Sequence, residues 1–229
     1  MASTHHTSPV TTVRRYTAGA RLNHWVTAIS LILLALSGMA LFHPSLFFLT
    51  GLFGGGQLTR EIHPWIGLIL FVSFLGLFFR FWKLNLWRRV DNVWLMKIRA
   101  VLTGHEEELP ELGKYNAGQK LVFWSMSILI AVLVVSGIVI WDAEQARLGL
   151  HFSVEQKRVA VLVHSVAAVV AICVWITHVY AAFWVKGTVS AMTKGTVTGG
   201  WGWRHHRIWL REEFEDEKHA DRQASSGAK

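Results

Sequence analysis

Cysteine and charge are both scarce in this chain, and each scarcity excludes a class of protein. The one cysteine, Cys173, lies within an apolar run. An internal disulfide, a thiolate-held iron–sulfur cluster and a Cys-x-x-Cys-His attachment motif are therefore excluded, and we expect Cys173 to be a small buried apolar residue. Only 17% of the 229 residues are charged, whereas 52% are hydrophobic. This composition is too apolar for an ordinary soluble domain, which needs a polar surface.

Long apolar runs dominate what is present. Four of them are each long enough for a helix to cross a hydrocarbon core, which takes about 20 residues. We predict spans I to IV over residues 22–42, 62–82, 121–141 and 159–185. Because the runs are continuous rather than alternating, helices are expected and a β-barrel is not. The predicted fold is an all-α, integral membrane four-helix bundle.

The net charge of +8 indicates topology rather than nucleic-acid binding, because the basic residues lie between and beyond the spans instead of on one patterned face. Of the 23 lysines and arginines, 19 lie on the side with both termini and the segment between spans II and III. The positive-inside rule places that side in the cytoplasm. We therefore expect a cytoplasmic tail over residues 1–21, a transmembrane domain over 22–185 and a cytoplasmic tail over 186–229.

Histidines within membrane spans are costly and therefore indicate function. Four lie in or at the edges of the spans: His24, His63, His164 and His178. His164 and His178 are 14 residues apart in span IV. That spacing is about 3.9 turns and about 21 Å of helix, so both side chains point to nearly the same face. It suits two metal-bearing cofactors stacked across the bilayer.

Depth in the membrane assigns a partner to each of these histidines. In the predicted orientation, His63 and His164 lie at the outer edge, and His24 and His178 lie at the cytoplasmic edge. Neutral imidazole is a good iron ligand, and two imidazoles fill both axial positions of a haem, which favours electron transfer over oxygen chemistry. We therefore predict two bis-histidine haems in the bundle, with no ligand from span III.

His43 is the rival to His63 as an outer ligand, because it ends span I and also precedes a proline. Proline favours the first position of a helix. Pro64 therefore indicates a helix start close to His63, which favours His63 as part of span II and leaves His43 in the loop.

A polar segment, KYNAGQK at residues 114–120, opens span III at the cytoplasmic level. Asn116 and Gln119 offer amide hydrogen bonds to a quinone carbonyl, and Gly118 lets a ring approach the backbone. Asn116 is equally suited to cap the helix with no other role. These residues alone leave both interpretations open.

Several motifs carry a family resemblance: LNHW at 22–25, ALSG at 35–38, HP at 63–64, GKYNAGQK at 113–120, FW at 123–124 and HVYAAFWVKG at 178–187. With these motifs the chain resembles, from Arg15 to Glu213, the cytochrome b (gamma) subunit of respiratory formate dehydrogenase. The resemblance implies two haem b groups and a quinone, either menaquinone or ubiquinone. It assigns His63 and His164 to the outer haem, His24 and His178 to the inner haem, and Asn116, Gly118, Gln119 and His178 to the quinone.

The resemblance also implies a complex of three chains in a bacterial inner membrane, surrounded by lipid. An iron–sulfur (beta) subunit with its own transmembrane helix would deliver electrons from a molybdenum or tungsten catalytic (alpha) subunit that oxidises formate. This chain would have no formate-oxidising site and would serve anaerobic respiration as an electron carrier. The alternative is the cytochrome b subunit of a nickel–iron hydrogenase or thiosulfate reductase type complex, whose four-helix dihaem pattern is similar.

Overall fold

A computed structural model of the protein describes residues 12–145 and 149–226. Of these residues 82% are helical, and among them four helices are long and apolar enough to cross a membrane. In chain order the helices and strands are β1 (Thr12–Arg14), α1 (Ala18–Phe42), α2 (Gly56–Phe81), α3 (Arg89–Met96), α4 (Ile98–Thr103), α5 (Ala117–Gln145), α6 (Val154–Trp184), α7 (Thr188–Thr193), β2 (Thr196–Thr198), α8 (Gly199–His205) and α9 (Arg207–Ser226).

Helices α1, α2, α5 and α6 correspond to spans I to IV, so the prediction of four membrane helices is confirmed. Their ends differ from the predicted ones: α1 begins at Ala18 rather than residue 22, and α2 begins at Gly56 rather than residue 62. Hydrophobicity marks only the part of a helix that lies in hydrocarbon. The helix continues into the polar residues outside the hydrocarbon, because its backbone hydrogen bonds remain favourable in that region.

The connection between α1 and α2 is a 3-10 helix over Pro44–Phe53 that ends in two glycines. Gly54 and Gly55 have φ angles of 83° and 105°, a region in which an L side chain is strained. These glycines allow the chain to reverse, and α2 then packs against α1.

The chain forms two compact units. The first, which we call the membrane unit, comprises Ala18–Asn85 and Leu121–Ala181. Within the most apolar window of each of the four spans, only 6% to 17% of the residues are buried inside the protein. Most of the apolar surface of these helices therefore faces outward, as it does in proteins solvated by lipid. Cys173 is one of the exposed residues, so the expectation that it is buried was wrong: in lipid an apolar side chain needs no protein cover.

The second unit, which we call the terminal unit, combines Leu86–Lys120 with the described residues of both termini, 12–17 and 182–226. Strands β1 and β2 pair antiparallel with Val13 opposite Val197, a small exception to the all-α prediction. The core of the terminal unit consists of buried apolar side chains from these strands and the helices beside them: Val13, Ala191, Val197, Trp201, Trp209 and Leu210. The terminal segments thus fold together, a feature that division into separate tails does not predict.

A buried arginine joins the amino-terminal segment to the rest of this unit. Arg15 is 3% exposed, and its guanidinium lies 4.8 Å from the ring centre of Trp201 and 4.6 Å from that of Trp209. It also donates to the carbonyl of Lys114 and lies 3.3 Å from Nε2 of His206. Cation–π contacts of this kind are strongest when desolvated, so the arginine stabilises the fold of the terminal unit.

A buried ion pair joins α3 to the start of α5. Lys120 Nζ lies 2.8 Å from Asp91 Oδ2, and the two side chains are 4% and 0% exposed. Lys120 also donates to the carbonyl of Leu86 at 3.1 Å, while Asp91 accepts from the backbone N–H of Arg88 at 2.6 Å. These additional hydrogen bonds offset part of the desolvation of the two charges, while Asp91 Oδ1 has no hydrogen-bond partner among the described residues.

Candidate functional site

The structure brings together both of the histidine pairs that depth predicts. The ring centroids of His63 on α2 and His164 on α6 are 6.4 Å apart. Those of His24 on α1 and His178 on α6 are also 6.4 Å apart. We call these the outer pair and the inner pair. Since His164 and His178 share one continuous helix, the two pairs are separated by about 21 Å along it.

The spacing within each pair fits two axial ligands on one metal ion. A metal–imidazole bond is about 2.0–2.1 Å long, and the centre of each ring lies roughly 1.2 Å beyond its ligating nitrogen. Two imidazoles on opposite sides of one ion therefore have centroids about 6.4 Å apart, which is the spacing seen at both levels. The ring planes are turned by 67° in the outer pair and 50° in the inner pair, a rotation that axial ligation leaves free. The donor set fits a bis-histidine haem at each level.

His63 rather than His43 lies opposite His164, but the expected helix start at Pro64 was wrong. Pro64 lies inside α2, eight residues after its first residue, instead of opening the helix. The proline that opens a helix is Pro44, and His43 caps that 3-10 helix by accepting the N–H of Ser45 at 3.2 Å. An internal proline is tolerated in membrane helices, so an HP pair does not mark where such a helix begins.

Two serines that the sequence analysis did not single out contact the outer pair. Ser37 Oγ on α1 lies 2.7 Å from Nδ1 of His63, and Ser136 Oγ on α5 lies 3.0 Å from Nδ1 of His164. The helix of span III therefore supplies no imidazole but does contact one. The signal available in the sequence is a repeated Ser-Gly dipeptide, in spans I and III, at the level of the outer histidines.

The predicted quinone segment forms the amino-terminal cap of α5. The backbone N–H of Asn116 donates to Gln119 Oε1 at 3.0 Å, and the backbone N–H of Gln119 donates to Asn116 Oδ1 at 2.9 Å. This reciprocal arrangement is a capping box. Asn116 therefore caps the helix, and the side-chain oxygens of Asn116 and Gln119 both accept a hydrogen bond.

Gly118 allows a ring to approach the backbone, but that ring belongs to the protein. A Cβ added to Gly118 would lie 3.3 Å from the indole of Trp94. Asn116, Gly118 and Gln119 lie in the terminal unit, whereas His178, the fourth predicted quinone residue, lies in the membrane unit. The side chain of His178 is exposed.

Four membrane helices with two stacked pairs of facing imidazoles are the architecture of a membrane cytochrome b. Comparison with known proteins agrees with this class: a family profile described as prokaryotic cytochrome b561 matches residues 15–195. The chain therefore belongs to the prokaryotic cytochrome b561 family.

Curated relatives extend over most of the chain. The formate dehydrogenase cytochrome b556(fdo) subunit of Escherichia coli K12 is 45% identical over 201 residues, which are 88% of this chain and 93% of the relative. The cytochrome b556(Fdn) subunit of the nitrate-inducible formate dehydrogenase of the same strain is 40% identical over 84% of this chain and 87% of its own length. The formate dehydrogenase cytochrome b556 subunit of Haemophilus influenzae is 35% identical, with coverages of 89% and 84%.

Proposed function

We propose that this protein is the cytochrome b subunit of a respiratory formate dehydrogenase complex. In this role it carries electrons from an iron–sulfur partner through two haem b groups to a quinone. The observation that carries the proposal is the pair of facing imidazoles at each of two levels, with centroids 6.4 Å apart. The names of the relatives, which are formate dehydrogenase cytochrome b subunits, support the choice of complex.

The chain's own contribution is to hold and space the two haems. His63 and His164 would hold the outer haem, and His24 and His178 the inner one. When bound, each haem supplies a one-electron iron couple. Ligation by two imidazoles would leave the iron no site for oxygen, which favours electron transfer. Because α6 supplies one ligand to each level, a single helix sets the separation of the two levels.

The charge distribution supports the orientation of the electron path in the membrane. Nineteen of the 23 basic residues belong to the side that we assign to the cytoplasm, so the inner pair lies near that face. Electrons from formate would enter at the outer pair and leave at the inner pair. A quinone reduced there takes up two protons from the cytoplasm, whereas formate oxidation releases a proton outside. The path of the electrons thus separates charge, and a proton channel is not required.

Asn116, Gly118, Gln119 and His178 are the residues that we propose for quinone binding, following the family resemblance. The capping box is compatible with this role for the two amides, because it uses only their oxygens. Among the residues that the structure describes, none accepts a hydrogen bond from the NH2 group of Asn116 or Gln119. These NH2 groups remain available as donors to a quinone carbonyl.

The order of the path is tested by substituting one ligand from each pair in the purified complex. With formate as the reductant, His178→Ala should leave the outer haem reducible while quinone reduction falls by on the order of 100-fold or more. His63→Ala should prevent reduction of the remaining haem as well. His43→Ala is the matched control and should behave as the unaltered complex. Quinone reduction at the full rate in either ligand variant would contradict the proposal.

The quinone residues are tested by variants that keep the cap and remove the donor. Asn116→Asp and Gln119→Glu each retain a capping oxygen but lose the NH2 group. We expect the KM for quinone to rise about tenfold in each, the effect of one lost hydrogen bond, with the stability of the complex unchanged. Asn116→Ala should additionally destabilise the helix start by about 1 kcal/mol. If the Asp and Glu variants reduce quinone as well as the parent, the two amides serve only as a cap.

Co-purification distinguishes the formate dehydrogenase complex from the alternatives. Affinity isolation of the tagged protein from its native membrane in mild detergent should retain an iron–sulfur protein and a formate-oxidising subunit. Recovery of a nickel–iron hydrogenase or a thiosulfate reductase instead would preserve the electron-transfer role and overturn the choice of complex.

A further inference from the structure

The outer pair is supported by two copies of the same local arrangement. On α1, Ser37 Oγ lies 2.7 Å from His63 Nδ1, and on α5, Ser136 Oγ lies 3.0 Å from His164 Nδ1. The serines are 0% and 5% exposed. A glycine follows each serine, and a Cβ at Gly38 or Gly137 would lie 3.4 or 3.3 Å from Cε1 of the same imidazole. The Ser-Gly dipeptide thus provides a polar contact and the space for the ring beside it.

The hydrogen-bond partners of each serine determine which ring nitrogen carries the proton. Ser37 Oγ lies 2.7 Å from the carbonyl oxygen of Leu33, and Ser136 Oγ lies 2.7 Å from that of Val132. A carbonyl oxygen only accepts, so each hydroxyl must donate to it. The serine oxygen is then the acceptor in the contact with the imidazole. Nδ1 must therefore carry the hydrogen, which leaves Nε2 with a free lone pair.

The inner pair has a different environment. Nδ1 of His24 is buried, and among the described residues it has no hydrogen-bond partner. Nothing comparable to the serine contact therefore fixes the tautomer of His24. The serine contacts are a property of the outer level and do not follow merely from placing histidines in a helical bundle.

We propose that Ser37 and Ser136 are positioning residues that tune the reduction potential of the outer haem. This inference rests on the haem ligation proposed above. Each serine holds its histidine in the tautomer with Nε2 free to bind iron, and fixes the ring orientation. By accepting the Nδ1 hydrogen it makes the imidazole a stronger electron donor. A stronger donor stabilises the oxidised iron, so the serines lower the potential of the outer haem.

Potentiometric titration of the purified complex, with the two haems followed by their absorbance, tests the inference. Ser37→Ala and Ser136→Ala should each retain two haems per chain and raise one midpoint potential, while the other stays unchanged. We expect the reduction equilibrium of the outer haem to shift by about three- to tenfold towards the reduced form, where tenfold corresponds to about 59 mV for one electron. Because each serine contacts a different imidazole, the double variant should shift the potential further than either single variant.

Matched variants separate this role from a general effect of losing a serine. Ser127 on α5 donates to the carbonyl of Phe123 at 2.7 Å, the same backbone contact that Ser136 makes with Val132. Ser127→Ala should therefore leave both potentials unchanged. Ser136→Thr retains a hydroxyl and should restore the parental potential. If an alanine variant loses the outer haem and Ser136→Thr restores it, the positioning role is likewise supported.

The outcomes also distinguish this inference from the function on which it rests. Two haems with both potentials unmoved in the alanine variants, or a potential that falls, would overturn the role of the serines and leave the cytochrome assignment intact. Fewer than two haems in the unaltered complex would overturn the proposed ligation itself.

Discussion

The membrane unit and the terminal unit satisfy their polar groups in different ways. In the membrane unit, hydroxyls such as those of Ser37 and Ser127 bond to carbonyls four residues earlier in the same helix. In the terminal unit, buried polar groups join segments that are distant in sequence: Arg15 contacts Lys114 across 99 positions. Buried charged side chains thus help to join the segments of the terminal unit. In the membrane unit polar side chains are few, and some of their contacts between helices reach the proposed ligands.

The largest stability effect should come from breaking the buried ion pair of the terminal unit. Lys120→Met leaves the Asp91 carboxylate buried without its partner, which should lower the free energy of unfolding by about 3–5 kcal/mol. Thermal unfolding of the purified chain in detergent, followed by tryptophan fluorescence, measures the loss. Because the penalty comes from the unpaired charge, the double variant Lys120→Met/Asp91→Leu should recover most of it.

Lys218→Met is the control for this prediction, since it removes an ion pair with Glu215 that is exposed on both sides. Exposed pairs contribute little, so no change in the unfolding temperature is expected. Equal effects of the two methionine substitutions would show that burial of the Lys120 pair is unimportant.

An intermediate effect should follow from crowding an imidazole of the membrane unit. In Gly137→Val the new Cβ lies 3.3 Å from Cε1 of His164, and the γ methyl groups add to the contact. Overpacking of this kind costs about 1–3 kcal/mol, and displacement of the ring should lower the outer haem content while the inner haem is retained. Gly19→Val, where an added Cβ meets nothing within 4 Å, should keep both haems. A full outer haem content in Gly137→Val would contradict the close packing at this level.

The smallest effect concerns pH and the terminal unit. Burial, together with the neighbouring Arg15 guanidinium, lowers the pKa of His206 well below 6.5. The unfolded chain then binds a proton at this residue more readily than the folded chain. Stability from this group is therefore present above about pH 6.5 and decreases as the pH falls below that value. Thermal unfolding between pH 5.5 and 7.5 should show the decrease, and His206→Gln should reduce it.

His105→Gln serves as the comparison for this pH effect, because His105 is exposed in the same unit. That variant should retain the pH dependence of the parent. If His206→Gln leaves the dependence unchanged, groups other than His206 produce it.

The features that sequence reasoning predicted correctly are those that depend on a regular repeat. Continuous apolar runs predict membrane helices because few other structures satisfy the backbone in lipid. The 14-residue spacing of His164 and His178 places two side chains on one face because the helix has a fixed pitch. The predicted depth in the membrane paired His24 with His178 and His63 with His164, and the structure places each pair side by side.

The features that were missed depend on contacts between segments that no spacing encodes. A serine in a membrane helix usually bonds to its own backbone, so the contact of Ser136 with His164 needs the relative rotation of two helices. Similarly, the basic carboxyl-terminal segment contains the string GWGWRHHRIW at residues 200–209. It was predicted only as part of a tail over residues 186–229, and its Trp201 and Trp209 are buried against β1 and Arg15. The tryptophans within this charged segment were the signal in the sequence that it contributes to a core.

The number of haems per chain decides whether the two histidine pairs are the haem ligands. Extraction of the purified protein with alkaline pyridine, and measurement of the resulting haem b spectrum against protein concentration, should give two haems per chain. The double variants His63→Ala/His164→Ala and His24→Ala/His178→Ala should each retain one, with different midpoint potentials, and the quadruple variant should retain none. Two haems in either double variant would contradict the account, because the facing imidazoles would then not be the ligands.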